Sequence, residues 1–151
     1  RTENVVNLLR QSGLNDVIRL SEINNGRSVK AESVIVIDVI GELFKVYSLA
    51  SVVFCGGSLV PKGGQNILEA AAWGKVIFYG PSMEDFSQEK TLPEEAACGI
   101  TVRDGEELFS GIMRMLDHPE EADRRGEKGR AVIAAYIGAA GRYADLISKY
   151  I

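Results

Sequence analysis

The chain has 151 residues, 46% of them apolar and 25% charged, with 16 glycines and four prolines. That composition belongs to an ordinary globular domain and excludes disordered, collagen-like and low-complexity classes, and no run approaches the ~18 consecutive apolar residues of a membrane span. Seventeen Lys and Arg against 21 Asp and Glu leave a net charge of −4, which excludes the basic field of a nucleic-acid binder.

Taken in chain order, residues 4–10 carry apolar side chains at helical spacing, and Gly13 supplies the stop. Residues 17–20 read as a short strand and 24–28 as a turn. Residues 34–39 are an almost unbroken β-branched run, the pattern of a strand covered on both faces. Gly41 breaks it, and residues 42–49 return to helical periodicity through Leu43, Val46 and Tyr47. A strand over 52–55, a helix over 65–73 and a strand over 76–79 follow. Residues 82–90 predict a short helix, Pro93 the first turn of another, and 99–102 a last strand. Asp104 predicts the cap of a helix running to Leu116. Pro119 opens a long helix to about Ala140, with a break at Gly138 and Gly141 before a final helix to Ile151.

Strands and helices alternate with short connections, so the expected class is α/β: one doubly wound, mainly parallel, Rossmann-like sheet in a single domain over 1–151. A doubly wound half normally opens on a strand, and this chain opens on a helix; the 151 residues are therefore expected to be a fragment of a larger protein. Cys55 and Cys98 lie far apart with no His nearby, so they are expected to be buried free thiols in a reducing, cytosolic setting rather than a disulfide or a zinc site.

Residues 52–69, VVFCGGSLVPKGGQNILE, are the most informative stretch. A strand delivers Gly56, Gly57 and Ser58 to the carboxyl edge of the sheet, where open α/β folds bind ligands. Gly63 and Gly64 then open a helix, where positive φ and close backbone approach suit an anionic group such as phosphate. No Gly-Lys-Ser/Thr ending is present, so this is not a P-loop, and the Gly-x-Gly-x-x-Gly fingerprint is missing too. On the expected helix Asn66 and Glu69 share a face, with Gln65 one turn ahead of Glu69, while Ile67, Leu68 and Ala71 cover the packed arc. A carboxylate placed there can accept two hydrogen bonds from a vicinal diol such as a ribose. The plainer alternative makes Glu69 a solvated helix residue and the glycines a tight turn.

Two further strand-to-helix turns belong with it. In residues 38–43, ending Gly41-Glu42-Leu43, the acids have a capping role as their alternative. In residues 80–86, GPSMEDF, the alternative is a turn with an N-cap at Ser82. Following consecutive parallel strands, all three turns should line one edge. His118 falls between helices with no catalytic partner in motif spacing, Arg124 and Arg125 beside Glu120 and Glu121 read as a solvated face with ion pairs, and Trp73 reads as packing.

Together these segments resemble the C-terminal half of the Kdo transferases, the 3-deoxy-D-manno-octulosonic acid transferases. The resemblance is carried by Gly41-Glu42-Leu43, by the run from Gly56 to Glu69, and by residues 80–86. Two positions depart from the pattern: Ala70 stands where Pro is expected, and Ser82 where His is usual. The resemblance implies a GT-B glycosyltransferase, two Rossmann-like domains facing across a cleft, of which this is the donor-binding one. It further implies CMP-Kdo or CMP as ligand, and a lipid A precursor as acceptor, met through an N-terminal domain outside this chain. That domain would also carry the general base of the inverting reaction and the anchor to the cytoplasmic face of the bacterial inner membrane.

On this reading the chain holds no catalytic residue, metal ligand or cofactor site, and alone it is soluble and inactive. The glycine loop (Gly57, Ser58, Lys62, Gly63, Gly64) would hold the CMP phosphate. Gln65, Asn66 and Glu69 would meet ribose or sugar hydroxyls, Gly41, Glu42 and Leu43 the base side, and Pro81 and Met83 would complete the pocket. Two other classes compete: a GT-B donor domain for another nucleotide sugar, UDP-linked for example, and a non-catalytic α/β module of receiver type. The second requires an acidic cluster, and Asp38 stands alone.

Overall fold

The computed structural model describes residues 2–147, with side-chain surroundings through Tyr136. It divides into two compact units, Arg1–Lys45 and Val46–Ile151. Every strand pairing is parallel, as expected, but the strands stand in two sheets rather than in one.

The first unit runs α1 (Thr2–Gln11), β1 (Val17–Arg19), α2 (Leu20–Asn24), β2 (Val34–Val36) and the start of α3 (Leu43–Val46). α1 stops where the glycine predicted it: Gly13 has φ +90°, and the amides of Gly13 and Leu14 reach back to the carbonyls of Arg10 and Leu9. β1 lies against β2 with Val17 opposite Val34, and Val6, Val17 and Ile18 are buried. The expectation of a fully covered strand over 34–39 fails: β2 is three residues long and Ile35 is 44% exposed. In a two-stranded ladder β2 has a single hydrogen-bonded neighbour, and the continuous apolar run does not by itself supply a second layer. α2 was not expected. Its first turn is closed by Glu22, which accepts the Arg19 amide at 2.8 Å, and by Asp38, which accepts from the Ser21 amide (2.9 Å) and hydroxyl (2.6 Å).

The second unit continues through a 3₁₀ turn (Tyr47–Leu49), β3 (Val52–Phe54), α4 (Leu68–Ala72), β4 (Val76–Tyr79), a second 3₁₀ turn (Glu84–Phe86), α5 (Ser87–Glu95), β5 (Gly99–Thr101), α6 (Gly105–Asp117) and α7 (Pro119–Ile147). β4 is central, between β3 and β5, and all four of its residues are buried. Its side chains alternate as a strand requires. Ile77 and Tyr79 join a core with Ile67, Ala70, Ala71, Cys98 and Ile133, while Val76 and Phe78 join Val102, Met115 and Ala122 on the opposite face. Helices thus cover both faces of this sheet, the layering that a parallel sheet needs.

Four boundaries differ from the sequence reading. The helix expected over 82–90 is a 3₁₀ turn at Glu84–Phe86, with α5 starting only at Ser87. α4 begins at Leu68, not at residue 65, because the Asn66 side chain accepts the Leu68 amide at 3.0 Å and holds its own segment in a turn. Pro93 lies inside α5 rather than opening a helix; it stands in the last turn, and its buried ring rests close to Gly99. α7 runs unbroken past Gly138 and Gly141 to Ile147. A glycine costs about 1 kcal/mol in a helix interior, and the alanines flanking these two are the best helix formers; residues 148–151 lie outside the described residues.

Candidate functional site

β3 and β4 are adjacent and parallel, Val52 opposite Val76 and Phe54 opposite Phe78, so the segments leaving their carboxyl ends emerge side by side. Residues 55–67 leave β3 and residues 80–86 leave β4, which brings two of the three predicted turns together. Gly41, Glu42 and Leu43 belong to the first unit. There Gly41 takes φ +89°, Glu42 pairs with Lys45 at 3.2 Å, and Leu43 opens α3, 46% exposed.

The glycine loop is built on the turn after β4. Ser58 is completely buried. Its hydroxyl donates to the Cys55 carbonyl at 2.5 Å and accepts the Gly80 amide at 2.8 Å, while its carbonyl takes the Ser82 amide at 3.0 Å. Ser58 therefore joins the two segments from within, and its side chain has no exposed surface to offer a ligand. The two backbones are so close that a Cβ on Gly80 would stand 2.2 Å from the Ser58 carbonyl oxygen.

Farther along, Gly63 and Gly64 take φ +75° and +76°, a pair of left-handed residues that only glycine adopts at little cost. Both are buried against the opposing turn: a Cβ on Gly63 would meet the Asp85 carboxylate at 2.2 Å, and one on Gly64 the Met83 sulfur at 2.3 Å. The Ser82 hydroxyl accepts the Lys62 and Gly63 amides at 3.2 and 3.1 Å and donates to Glu84 at 2.8 Å. That hydrogen bond holds the Glu84 carboxyl below its ordinary value. Ser82 thus ties down the glycine loop, a role its sequence position did not show; the expected alternative, a helix N-cap, does not occur.

The remaining predicted residues divide by exposure. Lys62, Gln65, Asn66, Glu69 and Pro81 reach solvent, and Met83 is buried at 3% exposure. Asn66 precedes α4 instead of sharing a helical face with Glu69, and its side-chain oxygen is engaged by the Leu68 amide. Glu69 sits in the first turn of α4, exposed, while Ala70 and Ala71 beside it are buried. The Asp38 carboxylate, bound by Ser21, is held below its usual range and braces α2 rather than the helix that follows it. Cys55 and Cys98 are buried free thiols. His118 is exposed at the end of α6, 3.7 Å from Glu120. Among the described residues, Arg125 and Arg114 both pair with Glu121, at 2.7 and 3.1 Å.

A parallel sheet with helices on both faces, and a glycine loop folded over the carboxyl ends of two adjacent strands, make a Rossmann-like α/β ligand-binding domain. The comparisons agree. The fold matches the crystal structure of the C-terminal CMP-Kdo binding domain of WaaA from Acinetobacter baumannii with a TM-score of 0.78 and 27% identity, over 88% of this chain and 68% of that one. No family profile matches the chain. It is 30% identical over 104 residues to the 3-deoxy-D-manno-octulosonic acid transferase of Aquifex aeolicus, covering 69% of this chain and 29% of that protein. To the enzyme of the same name from Bordetella pertussis it is 29% identical over 114 residues, 76% of this chain and 27% of the relative. A bifunctional glycosyltransferase/methyltransferase of Fusobacterium nucleatum shares 34% over 112 residues, 74% of this chain and 17% of that protein. The chain is a homologue of the Kdo transferases and corresponds to their C-terminal domain, and it spans less than a third of the length of the curated relatives it matches.

Proposed function

We propose that these residues form the donor-binding domain of an inverting glycosyltransferase that moves Kdo from CMP-Kdo to a lipid A precursor. The observation that carries this reading is the glycine loop, whose backbone is left-handed at Gly63 and Gly64, standing in a fold shared with a CMP-Kdo binding domain. Lys62, exposed beside the loop, supplies a cation for the CMP phosphate. Glu69, exposed in the first turn of α4, accepts hydroxyls of the ribose or sugar, with Gln65 and Asn66 next to it. Gly57, half-buried, lets the ligand approach backbone; Gly63 and Gly64, buried against Asp85 and Met83, shape the loop, and Ser58 and Met83 hold it from beneath. Pro81, exposed on the turn after β4, borders the pocket.

Transfer breaks the bond between the Kdo anomeric carbon and the CMP phosphate oxygen as an acceptor hydroxyl attacks from the opposite face. A base within hydrogen-bond reach must take the hydroxyl proton. Among the described residues the lone imidazole, His118, lies at the end of α6, in neither the glycine loop nor the turn after β4. In this reading the base and the lipid-facing surface belong to sequence outside these 151 residues, and the whole protein works at the cytoplasmic face of the inner membrane. No helix among the described residues is long and apolar enough to cross a membrane.

Titration calorimetry of the chain with CMP, UMP and UDP tests the proposal. CMP should bind and the uridine nucleotides should bind more weakly. Glu69→Gln should weaken CMP by about 1–3 kcal/mol, the loss of charge-assisted hydrogen bonds, with an unchanged melting temperature because Glu69 lies off the core. Preference for UDP would reassign the domain to another nucleotide sugar, and unchanged affinity in the variant would remove Glu69 from the site.

A further inference from the structure

We propose that Ser82 is the positioning residue of the donor loop: its hydroxyl, oriented by Glu84, sets the direction of the Lys62 and Gly63 amides and so the shape that the nucleotide phosphate meets. The inference rests on the donor-site reading above and adds a residue that touches no ligand.

Three observations converge. The Ser82 side chain is 7% exposed and fully satisfied, accepting from the Lys62 and Gly63 amides and donating to Glu84. A hydroxyl carries one donor hydrogen, and with Glu84 taking it, the oxygen lone pairs are left facing the two amides. The Glu84 carboxylate thereby fixes which way Ser82 points. Ser82 is itself immobilised, because its own amide is bonded to the Ser58 carbonyl at 3.0 Å and Ser58 is bonded to Gly80 at 2.8 Å. Finally, the loop it holds has no slack: Gly63 and Gly64 are left-handed and already pressed against Asp85 and Met83. Left-handed glycines have many alternative conformations once released, so the two amide bonds to Ser82 select one of them. Asp85 is the neighbouring acidic group on the same turn, and Lys62 supplies the nearby cation.

The test uses the 151-residue chain, amide hydrogen exchange read by NMR, and CMP as the probe. In the wild type the Lys62 and Gly63 amides should exchange slowly. Ser82→Ala should free the buried Gly63 amide, while that of Lys62 keeps its bond to the Val60 carbonyl at 2.7 Å. It should weaken CMP about tenfold, the effect of leaving one buried donor without its acceptor. Ser82→Thr, which keeps the hydroxyl, should restore slow exchange and CMP affinity together, a rescue that a purely steric role would not produce. Wild-type affinity in Ser82→Ala, or a Thr variant as impaired as Ala, would overturn the proposal. If Ser82→Ala does not fold, fast exchange of the Gly63 amide in the wild type overturns it and slow exchange supports it. If the wild type binds no CMP, the donor-site reading falls, while the contrast in exchange between the Ala and Thr variants still decides whether Ser82 orients the loop.

Discussion

Cys98 is completely buried between α5 and α7, with the backbone of Gly129 so near that a Cβ there would stand 2.4 Å from its sulfur. Burial disfavours the thiolate and pushes its pKa from 9.0 up to about 11. A group whose pKa is raised by folding contributes stability below its unfolded value, and that contribution fades as pH climbs toward the folded one. Stability should therefore decline as pH rises from about 9 to about 11, and Cys98→Ser, read by urea melts across that range, should show a smaller decline. At pH 8 neither thiol should react with iodoacetamide until the chain is unfolded; mass spectrometry of the native protein showing a labelled Cys98 would contradict the packing.

The helices are seated by glycines and closed by their last turns, and each device has a signed consequence. α5 ends with Ala97 at φ +60°, its amide bonded to Glu94 and that of Cys98 to Pro93. This is the left-handed closure that normally takes glycine. Ala97→Gly should raise stability by up to about 1 kcal/mol, because a side chain in that conformation costs about 1–2 kcal/mol. Gly126 of α7 behaves oppositely. A Cβ there would lie 1.8 Å from the Gly74 carbonyl oxygen, so the helix must retreat to admit it. Gly126→Ala should destabilise by about 1–3 kcal/mol in denaturant melts despite alanine's better helix propensity. Gly111 plays the same part in α6, with Phe78 at 2.5 Å from its would-be Cβ. At the opposite end of α6, Asp104 accepts the Glu106 and Glu107 amides at 3.0 and 2.9 Å, the cap its sequence position announces.

For the whole molecule the prediction is binding without turnover. Incubated with CMP-Kdo and a lipid A precursor, the 151-residue chain should yield no glycosylated lipid by mass spectrometry, while CMP still binds. A donor domain can hold its nucleotide alone, but inverting transfer needs a base at the acceptor oxygen and closure that excludes water from a labile donor. Product formed by this chain would place the base within it, with Glu42 and Glu84 the first carboxylates to replace.

The amino-acid pattern by itself determined what local chemistry can determine: strands at 52, 76 and 99, the caps at Gly13 and Asp104, the bend at Gly41, and the glycine-rich loop that follows the strand at 52. Each follows from a run of β-branched residues, a cap or a glycine acting within a few positions of itself. What lay beyond that reach was decided by tertiary structure. The strands divide into two sheets, and Ile35 stays half-exposed, because an apolar run specifies a preference for cover and not the neighbour that provides it. Ser58 and Ser82 turn inward to join the two loops, and Gly80 and Gly126 make room for backbone from 22 and 52 residues away. No sequence periodicity encodes such contacts: they arise only when adjacent parallel strands bring their following turns within hydrogen-bonding distance, and helices settle onto them.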